Sequence, residues 1–254
     1  MLAPIKKAIK PFVPRPVLAW YWRRSNRRRT NAERFGQIYR EKLWGGVREN
    51  DFFSGYGTVP AVVEPYVSSV RMLLSQRAPV DVVEIGCGNF TVASSLTDLA
   101  RTYTACDVVP ELIERNRRRF VRDNLRFVAI DAVTDPLPPG ELVIVRQVLQ
   151  HLRNDQIQCI LQKLTRYPTW VISEHVPSRE FVPNRDILSG PDTRLSVGSG
   201  VVLTEEPFSV RPRRADVLSE VHVKDGLIRT HAYSFSATKA HAGAGSCGPW
   251  SGVS

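Results

Sequence analysis

The chain has 254 residues, 43% of them hydrophobic, which is enough for one large domain or two small ones with a sizeable core. No stretch approaches the roughly 20 apolar residues of a membrane-spanning helix, and the first residues lack the pattern of a signal peptide. The net charge of +10 is uneven: residues 1–30 hold nine Lys and Arg and no acid, so the remainder is nearly neutral.

The cysteines show neither C-x-x-C spacing nor a histidine at zinc-site distance. We therefore expect reduced thiols in a cytoplasmic protein, and we predict no metal site. The four cysteines are Cys87, Cys106, Cys159 and Cys247.

Residues 1–30 form a basic, aromatic arm. Prolines interrupt its first half, whereas residues 17–29 can form a short amphipathic helix with Trp20, Tyr21 and Trp22 beside arginines. Such side chains suit the interface of an anionic membrane, so we predict peripheral contact with the inner membrane face. A solvated tail or a protein contact is the alternative; nucleic acid, which would also attract the arm, is not expected as a partner because the body of the chain is nearly neutral.

After the arm, the pattern predicts helices at 31–43 and 59–76, and then strands alternating with helices. Strands are predicted at 80–85, 102–107, 125–130, 141–146 and 169–174, with helices at 91–100, 110–122 and 154–166. This alternation is typical of a doubly wound, Rossmann-like α/β sheet that is mostly parallel. Asp225-Gly226 separates two further strand-like runs, which predicts a C-terminal antiparallel hairpin.

The domain boundaries follow from these shifts in composition. We predict a basic arm at 1–30, one domain at 31–240 and a disordered tail at 241–254. Within the domain, residues 80–176 would hold a cofactor, and segments 31–58 and 177–214 would form a lid over the acceptor.

The most informative stretch is the apolar run that ends at Glu84 and opens into a glycine-rich turn, Gly86-Cys87-Gly88. Glycines let the backbone turn tightly and approach a ligand closely. The predicted helix over 91–100 would place its N-terminus, at Asn89 and Phe90, beside that ligand.

Asp107 comes 19 residues after Gly88, at the end of the second predicted strand, where an acid can bind a ribose diol. NAD and S-adenosylmethionine both carry that diol. Thr91 stands where a dinucleotide-binding turn would have its third glycine, and the carboxylate of Glu84 would repel a pyrophosphate. The turn therefore favours S-adenosylmethionine.

Four motifs in order resemble those of class I S-adenosylmethionine-dependent methyltransferases, over residues 80–176. They are VEIGCG at 83–88, CDVVPELI at 106–113, IDA at 130–132 with DPLP at 135–138, and ELVIVRQVLQHL at 141–152. Segments 39–46, 54–57 and 184–187 resemble, more loosely, a bacterial subgroup associated with modification of polysaccharides and glycoconjugates.

The resemblance implies roles for these residues in binding S-adenosyl-L-methionine. The methionine end would contact the turn from Glu84 to Phe90. The ribose would be bound by Asp107, and the adenine by Asp131 and its neighbours. The implied set is Glu84, Gly86, Cys87, Gly88, Asn89, Phe90, Asp107, Val108, Asp131, Ala132 and Arg146, with Trp44 and Tyr39 as a lid. Gln147 stands where the family often has an acid, so no role is carried to it.

Methyl transfer to a hydroxyl needs a general base, for which His151 is the first candidate and His175 the second. A metal-assisted site of Asp131, Glu174 and His175 would be a third option, but the ligand spacing does not support it. Several arginines hint at an anionic acceptor, unless they form a solvated face: Arg185, Arg194, Arg211, Arg213 and Arg214.

The sequence therefore predicts O-methylation of a glycan, a lipid-linked or another small-molecule acceptor. The alternatives are an RNA or protein methyltransferase, or a scaffold that binds the cofactor without turnover.

Overall fold

A computed structural model describes residues 29–46 and 52–235. Its centre is a seven-stranded sheet with the order β3-β2-β1-β4-β5-β7-β6. The strands are β1 (Val80–Ile85), β2 (Ala100–Asp107), β3 (Leu125–Ala129), β4 (Leu142–Arg146), β5 (Thr169–Val176), β6 (Arg214–Val223) and β7 (Gly226–Ser234). The helices are α1 (Asn31–Arg40), α2 (Pro60–Ser75), α3 (Pro110–Arg119) and α4 (Asn154–Leu164).

The first five strands pair in parallel, and β7 pairs antiparallel with both β5 and β6. One hydrophobic cluster packs α2 and α3 on one face of the sheet, and a second packs α4 on the other face. The predicted fold class is confirmed, including the C-terminal hairpin. The predicted helix within the arm lies outside the described residues.

Local sequence explains where the helices begin. Thr30 and Glu33 form a capping box at α1: the Thr30 side chain accepts from the Glu33 amide, and the Glu33 carboxylate accepts from the Thr30 amide. Pro60 and Pro110 occupy the first positions of α2 and α3, where a missing N–H costs nothing. None of the helices within the described ranges has both the length and the hydropathy to cross a bilayer.

The prediction of a helix over 91–100 is wrong. The chain makes only two 3₁₀ turns there, Ala93–Ser95 and Thr97–Leu99. The hydroxyls of Ser94, Ser95 and Thr97 each donate to the carbonyl three residues earlier, and such bonds compete with helix formation. The residues that follow the glycine turn therefore do not begin an α-helix.

The strand order reverses between β1 and β4. From β1 the chain continues to β2 and β3 on one side, whereas β4 and β5 lie on the other side of β1. In open α/β sheets, ligands bind outside the carboxyl ends of the strands at this point. The ends of β1, β2 and β4 carry the glycine turn, Asp107 and Arg146, so the topology brings these predicted site residues together.

Candidate active site

A cavity of about 1270 Å³ opens along the carboxyl ends of these strands and reaches the turn between β6 and β7. Ligand pockets commonly measure roughly 300–1,000 Å³, so there is room here for two ligands. All the predicted cofactor residues except Phe90 line it, as do His151 and His175.

The glycine turn after β1 is fixed to the end of β2. The amides of Gly86 and Cys87 donate to the carbonyl of Cys106, at 2.8 and 2.9 Å. Gly86 has φ +73°, and a Cβ there would lie 2.2 Å from a methyl group of Val148. A side chain on Gly88, at φ +53°, would lie 2.6 Å from the hydroxyl oxygen of Ser54. Only glycine allows this close approach.

Asp107 joins the turn to β2. Its carboxylate accepts from the amides of Gly88 (3.0 Å) and Val109 (3.1 Å). Burial raises the pKa of Asp107 to about 6, against the opposing effect of these amides. The carboxylate is therefore charged at neutral pH and retains lone pairs that can accept from a ligand in the cavity.

Glu84 is a second buried carboxylate in the cavity wall. It accepts a hydrogen bond of 3.1 Å from the hydroxyl of Tyr103. Burial raises the pKa of Glu84 to about 7, and this bond and the nearby Arg146 oppose the shift. A cationic group bound beside Glu84 would therefore stabilise its charged form.

Arg146 is the last residue of β4 and lines the cavity. Its guanidinium donates to the carbonyl of Gly57 and lies 4.9 Å from the centre of the Tyr66 ring. Burial lowers the pKa of Arg146. The next residue, Gln147, has φ +54°, and its side chain would collide with a Cβ at Gly57. These contacts fix the 57–58 loop against β4.

Asp131 lies at the end of the cavity where an adenine is expected. Its carboxylate accepts from the amide of Val133 at 2.9 Å and from the side chain of Asn31 at 3.0 and 3.2 Å. Val108 and Ala132 line the cavity beside it. Sequence reasoning missed Asn31, which begins α1 and is 100 positions away in the chain.

The predicted lid residues close the cavity over the glycine turn. Tyr39 and Ser54 share a hydrogen bond of 3.2 Å. The Trp44 ring lies 5.2 Å from Tyr39 and 4.9 Å from His151, and its N–H donates to the carbonyl of Pro191 at 3.0 Å. Trp44 thus packs beside the candidate base and connects segment 31–58 to segment 177–214.

His151 lies on the 3₁₀ turn Leu149–His151, not on the helix that follows β4. Its Nδ1 is 3.1 Å from the carbonyl of Asp192, and its Nε2 is 3.3 Å from the side-chain nitrogen of Gln150. Burial lowers the pKa of His151 to about 4, so the imidazole is neutral at pH 7. A neutral imidazole can accept a proton or orient a hydroxyl.

His175 is the less suitable base. It lines the cavity, but its Nε2 is buried with no hydrogen-bond partner among the residues that the structure describes, and a Cβ at Gly226 would be only 3.0 Å from that atom. Its neighbour Glu174 does not orient it, because the Glu174 carboxylate accepts from the amides of Leu149 and Gln150.

Phe90 and Arg194 are not where the sequence suggests. The backbone of Phe90 has φ +60°, and its ring packs in the core against Phe120 and Phe127 instead of facing the cavity. Arg194 is completely buried and binds backbone carbonyls, so it belongs to no solvated face and offers no charge to an acceptor.

A family model and solved structures relate this chain to known proteins. Residues 82–168 match the family model described as "Methyltransferase domain". The fold is similar to N-methyltransferase NodS from Bradyrhizobium japonicum WM9 in complex with S-adenosyl-L-homocysteine. That likeness has a TM-score of 0.57 and 16% identity, covering 78% of this chain and 97% of that one.

It is also similar to magnesium protoporphyrin IX methyltransferase (ChlM) from Synechocystis PCC 6803 with bound S-adenosylhomocysteine. Here the TM-score is 0.52 and the identity 13%, with 88% of this chain and 100% of that one covered. A search of curated proteins gave no match. The match confirms the predicted methyltransferase domain over residues 82–168 and the predicted enzyme class. The two similar structures hold S-adenosylhomocysteine, which agrees with S-adenosylmethionine as the predicted cofactor.

Proposed function

We propose that this chain, which carries a class I methyltransferase domain, methylates an oxygen atom of a glycan, a lipid-linked or another small-molecule acceptor. The observation that carries the proposal is the pair of buried carboxylates, Glu84 and Asp107, around a glycine turn in a cavity with room for two ligands. Both similar structures hold S-adenosylhomocysteine, which agrees with this choice of cofactor.

The cavity residues fit this cofactor. Asp107 can accept from the two ribose hydroxyls, and Glu84 can pair with the ammonium group of the methionine end. The absence of side chains at Gly86 and Gly88 keeps the turn open to a ligand. S-adenosylmethionine, when bound, supplies an electrophilic methyl group on its sulfonium.

The acceptor would occupy the other end of the cavity, where polar side chains surround His151. Thr193 and Ser196 offer hydroxyls, and Lys224 and Asp225 lie in the turn between β6 and β7. These groups suit an acceptor rich in hydroxyls. His151, through Nε2, would accept the proton that the attacking hydroxyl loses, with the hydroxyl taking the place of the Gln150 side-chain nitrogen that lies 3.3 Å from Nε2.

The experiment is transfer of a labelled methyl group from S-adenosylmethionine to a panel of probes. The panel holds free oligosaccharides, oligosaccharides linked to polyprenyl diphosphate, total RNA and a protein extract. We expect label in a saccharide fraction, and none with the Asp107→Asn variant. Label in RNA or protein would assign the alternative enzyme, and cofactor binding without transfer to any probe would favour the scaffold.

Cofactor affinity should depend on pH. The charged form of Asp107 is the one that accepts from the ribose, and its pKa is raised to about 6. Affinity should therefore be constant near pH 8, begin to fall below pH 7 as Glu84 takes up a proton, and fall more steeply below pH 6 as Asp107 does so too. Calorimetric titration with S-adenosylhomocysteine between pH 5 and 8 measures this, and equal affinity at pH 5 and 8 would contradict it.

Membrane contact through residues 1–30 and a cytoplasmic location stay predictions. Nearly all of the arm, residues 1–28, lies outside the described residues, as does the tail at 241–254. Binding to anionic vesicles, compared between the full chain and a chain without the arm, would test the membrane contact.

A further inference from the structure

Two buried polar side chains, Glu174 and Arg194, hold the 149–152 turn that carries His151. On one side, the Glu174 carboxylate accepts from the amides of Leu149 and Gln150, both at 3.0 Å. On the other side, the Arg194 guanidinium donates to the carbonyls of Leu149 (2.9 Å) and Leu152 (2.8 Å). The turn is therefore bound through its N–H groups and its C=O groups at once.

Neither side chain is exposed to solvent. Arg194 is 0% exposed and Glu174 is 4% exposed. A buried charge costs several kcal/mol in desolvation, and apolar side chains of similar volume often stabilise a fold as well or better. Stability alone therefore does not account for this pair, whereas accurate placement of the turn does.

The turn is placed against the strap, which we define as residues 189–194. The strap's Gly190 amide donates to the carbonyl of His151 at 3.0 Å. Its Asp192 carbonyl lies 3.1 Å from Nδ1 of His151. Because a carbonyl only accepts, Nδ1 must carry the imidazole proton. This leaves Nε2 as the ring nitrogen that can take a proton.

Gln150 is consistent with the same tautomer. Its side-chain oxygen accepts from the amide of His175 at 3.0 Å, which fixes the orientation of the side-chain amide. Its nitrogen, 3.3 Å from Nε2 of His151, is then a donor toward an unprotonated Nε2.

We propose that Arg194 is a positioning residue for His151. By binding the carbonyls of Leu149 and Leu152 opposite Glu174, it holds the turn in register with the strap and so selects the tautomer with the proton on Nδ1. The functional meaning rests on the proposed function, which makes His151 the base; the geometric claim does not.

The test reads the tautomer directly. Long-range ¹H–¹⁵N spectra of ¹⁵N-labelled full-length protein distinguish a protonated from an unprotonated ring nitrogen, and the His151→Gln variant identifies the His151 signals. The wild type should show protonated Nδ1. Arg194→Ala should show loss of that form in favour of a mixture in which Nε2 carries most of the proton. Added guanidinium ion should restore the wild-type signals.

Arg185→Ala is the matched control, because Arg185 lies in a nearby loop but is exposed. The His151 signals of this variant should equal those of the wild type. If Arg194→Ala does not fold without guanidinium, Arg194→Lys is read in its place. Lysine keeps the charge but cannot span both carbonyls, so a mixture is again expected. A folded Arg194 variant with the wild-type tautomer would overturn the proposal.

Titration of the same samples with S-adenosylhomocysteine separates the two claims. If the wild type fails to bind it, the proposed function fails, and the tautomer result can still be read.

Discussion

Replacing Asp107 with Asn is expected to weaken binding of S-adenosylhomocysteine by at least about 100-fold. Hydrogen bonds to a charged group contribute roughly 1.5–3 kcal/mol each, and the neutral amide loses this strength at both ribose hydroxyls. Asparagine can keep one of the bonds from the amides of Gly88 and Val109, so the fold should survive. Calorimetric titration measures the affinity, and circular dichroism checks the fold.

Glu114→Gln is the matched control, since it makes the same change from carboxylate to amide on the exposed surface of α3. Among the described residues, Glu114 pairs with Arg117 and Arg118 at the protein surface, and exposed pairs contribute little. Its affinity should equal that of the wild type. Unchanged binding by a folded Asp107→Asn variant would mean that the cofactor is not held where we place it.

Replacing Gly226 with Ala should strongly lower the free energy of unfolding. A Cβ there would lie 2.3 Å from the backbone oxygen of Val176 and 3.0 Å from Nε2 of His175. That oxygen belongs to β5, which pairs with β7 at this point, so it cannot move without disturbing the sheet. We expect a loss of about 3 kcal/mol, typical of severe overpacking, and a melting temperature lower by roughly 6–12 °C.

Gly190→Ala separates steric conflict from the general effect of removing a glycine. The nearest atom to a Cβ at Gly190 is the Leu188 carbonyl oxygen, 4.0 Å away. Its melting temperature should lie close to that of the wild type. If the two variants melt together, the contact between the hairpin and β5 is less close than described.

The parts of the site that sequence could predict are those set by local pattern. An apolar run followed by Gly86 and Gly88 is enough to indicate a strand and a tight turn. The distance to Asp107 follows from one short connection and one strand. The Asp225-Gly226 turn similarly predicts the hairpin, which the structure confirms at β6 and β7.

The errors arise where competing local interactions or distant partners decide the outcome. Between 91 and 100, serine and threonine hydroxyls bind the backbone and leave 3₁₀ turns in place of a helix. The left-handed backbone conformation of Phe90, at φ +60°, directs its ring into the core. Neither effect is visible in a hydrophobic pattern.

Arg194 and Asn31 show the limit set by distance along the chain. Nothing in the local sequence distinguishes Arg194 from Arg185, yet Arg194 is buried and Arg185 is exposed. The carbonyls that bind Arg194 lie more than 40 positions earlier. Asn31 meets Asp131 across 100 positions. Both contacts follow from tertiary packing and have no sequence motif.

We propose that the cavity binds S-adenosylmethionine through the glycine turn, Glu84 and Asp107. The most direct test is calorimetric titration of the full chain at pH 8 with S-adenosylmethionine, S-adenosylhomocysteine and NAD. We predict micromolar binding of both adenosyl ligands and none of NAD. Binding of NAD, or of none of the three ligands, would contradict the assignment of this cavity to S-adenosylmethionine.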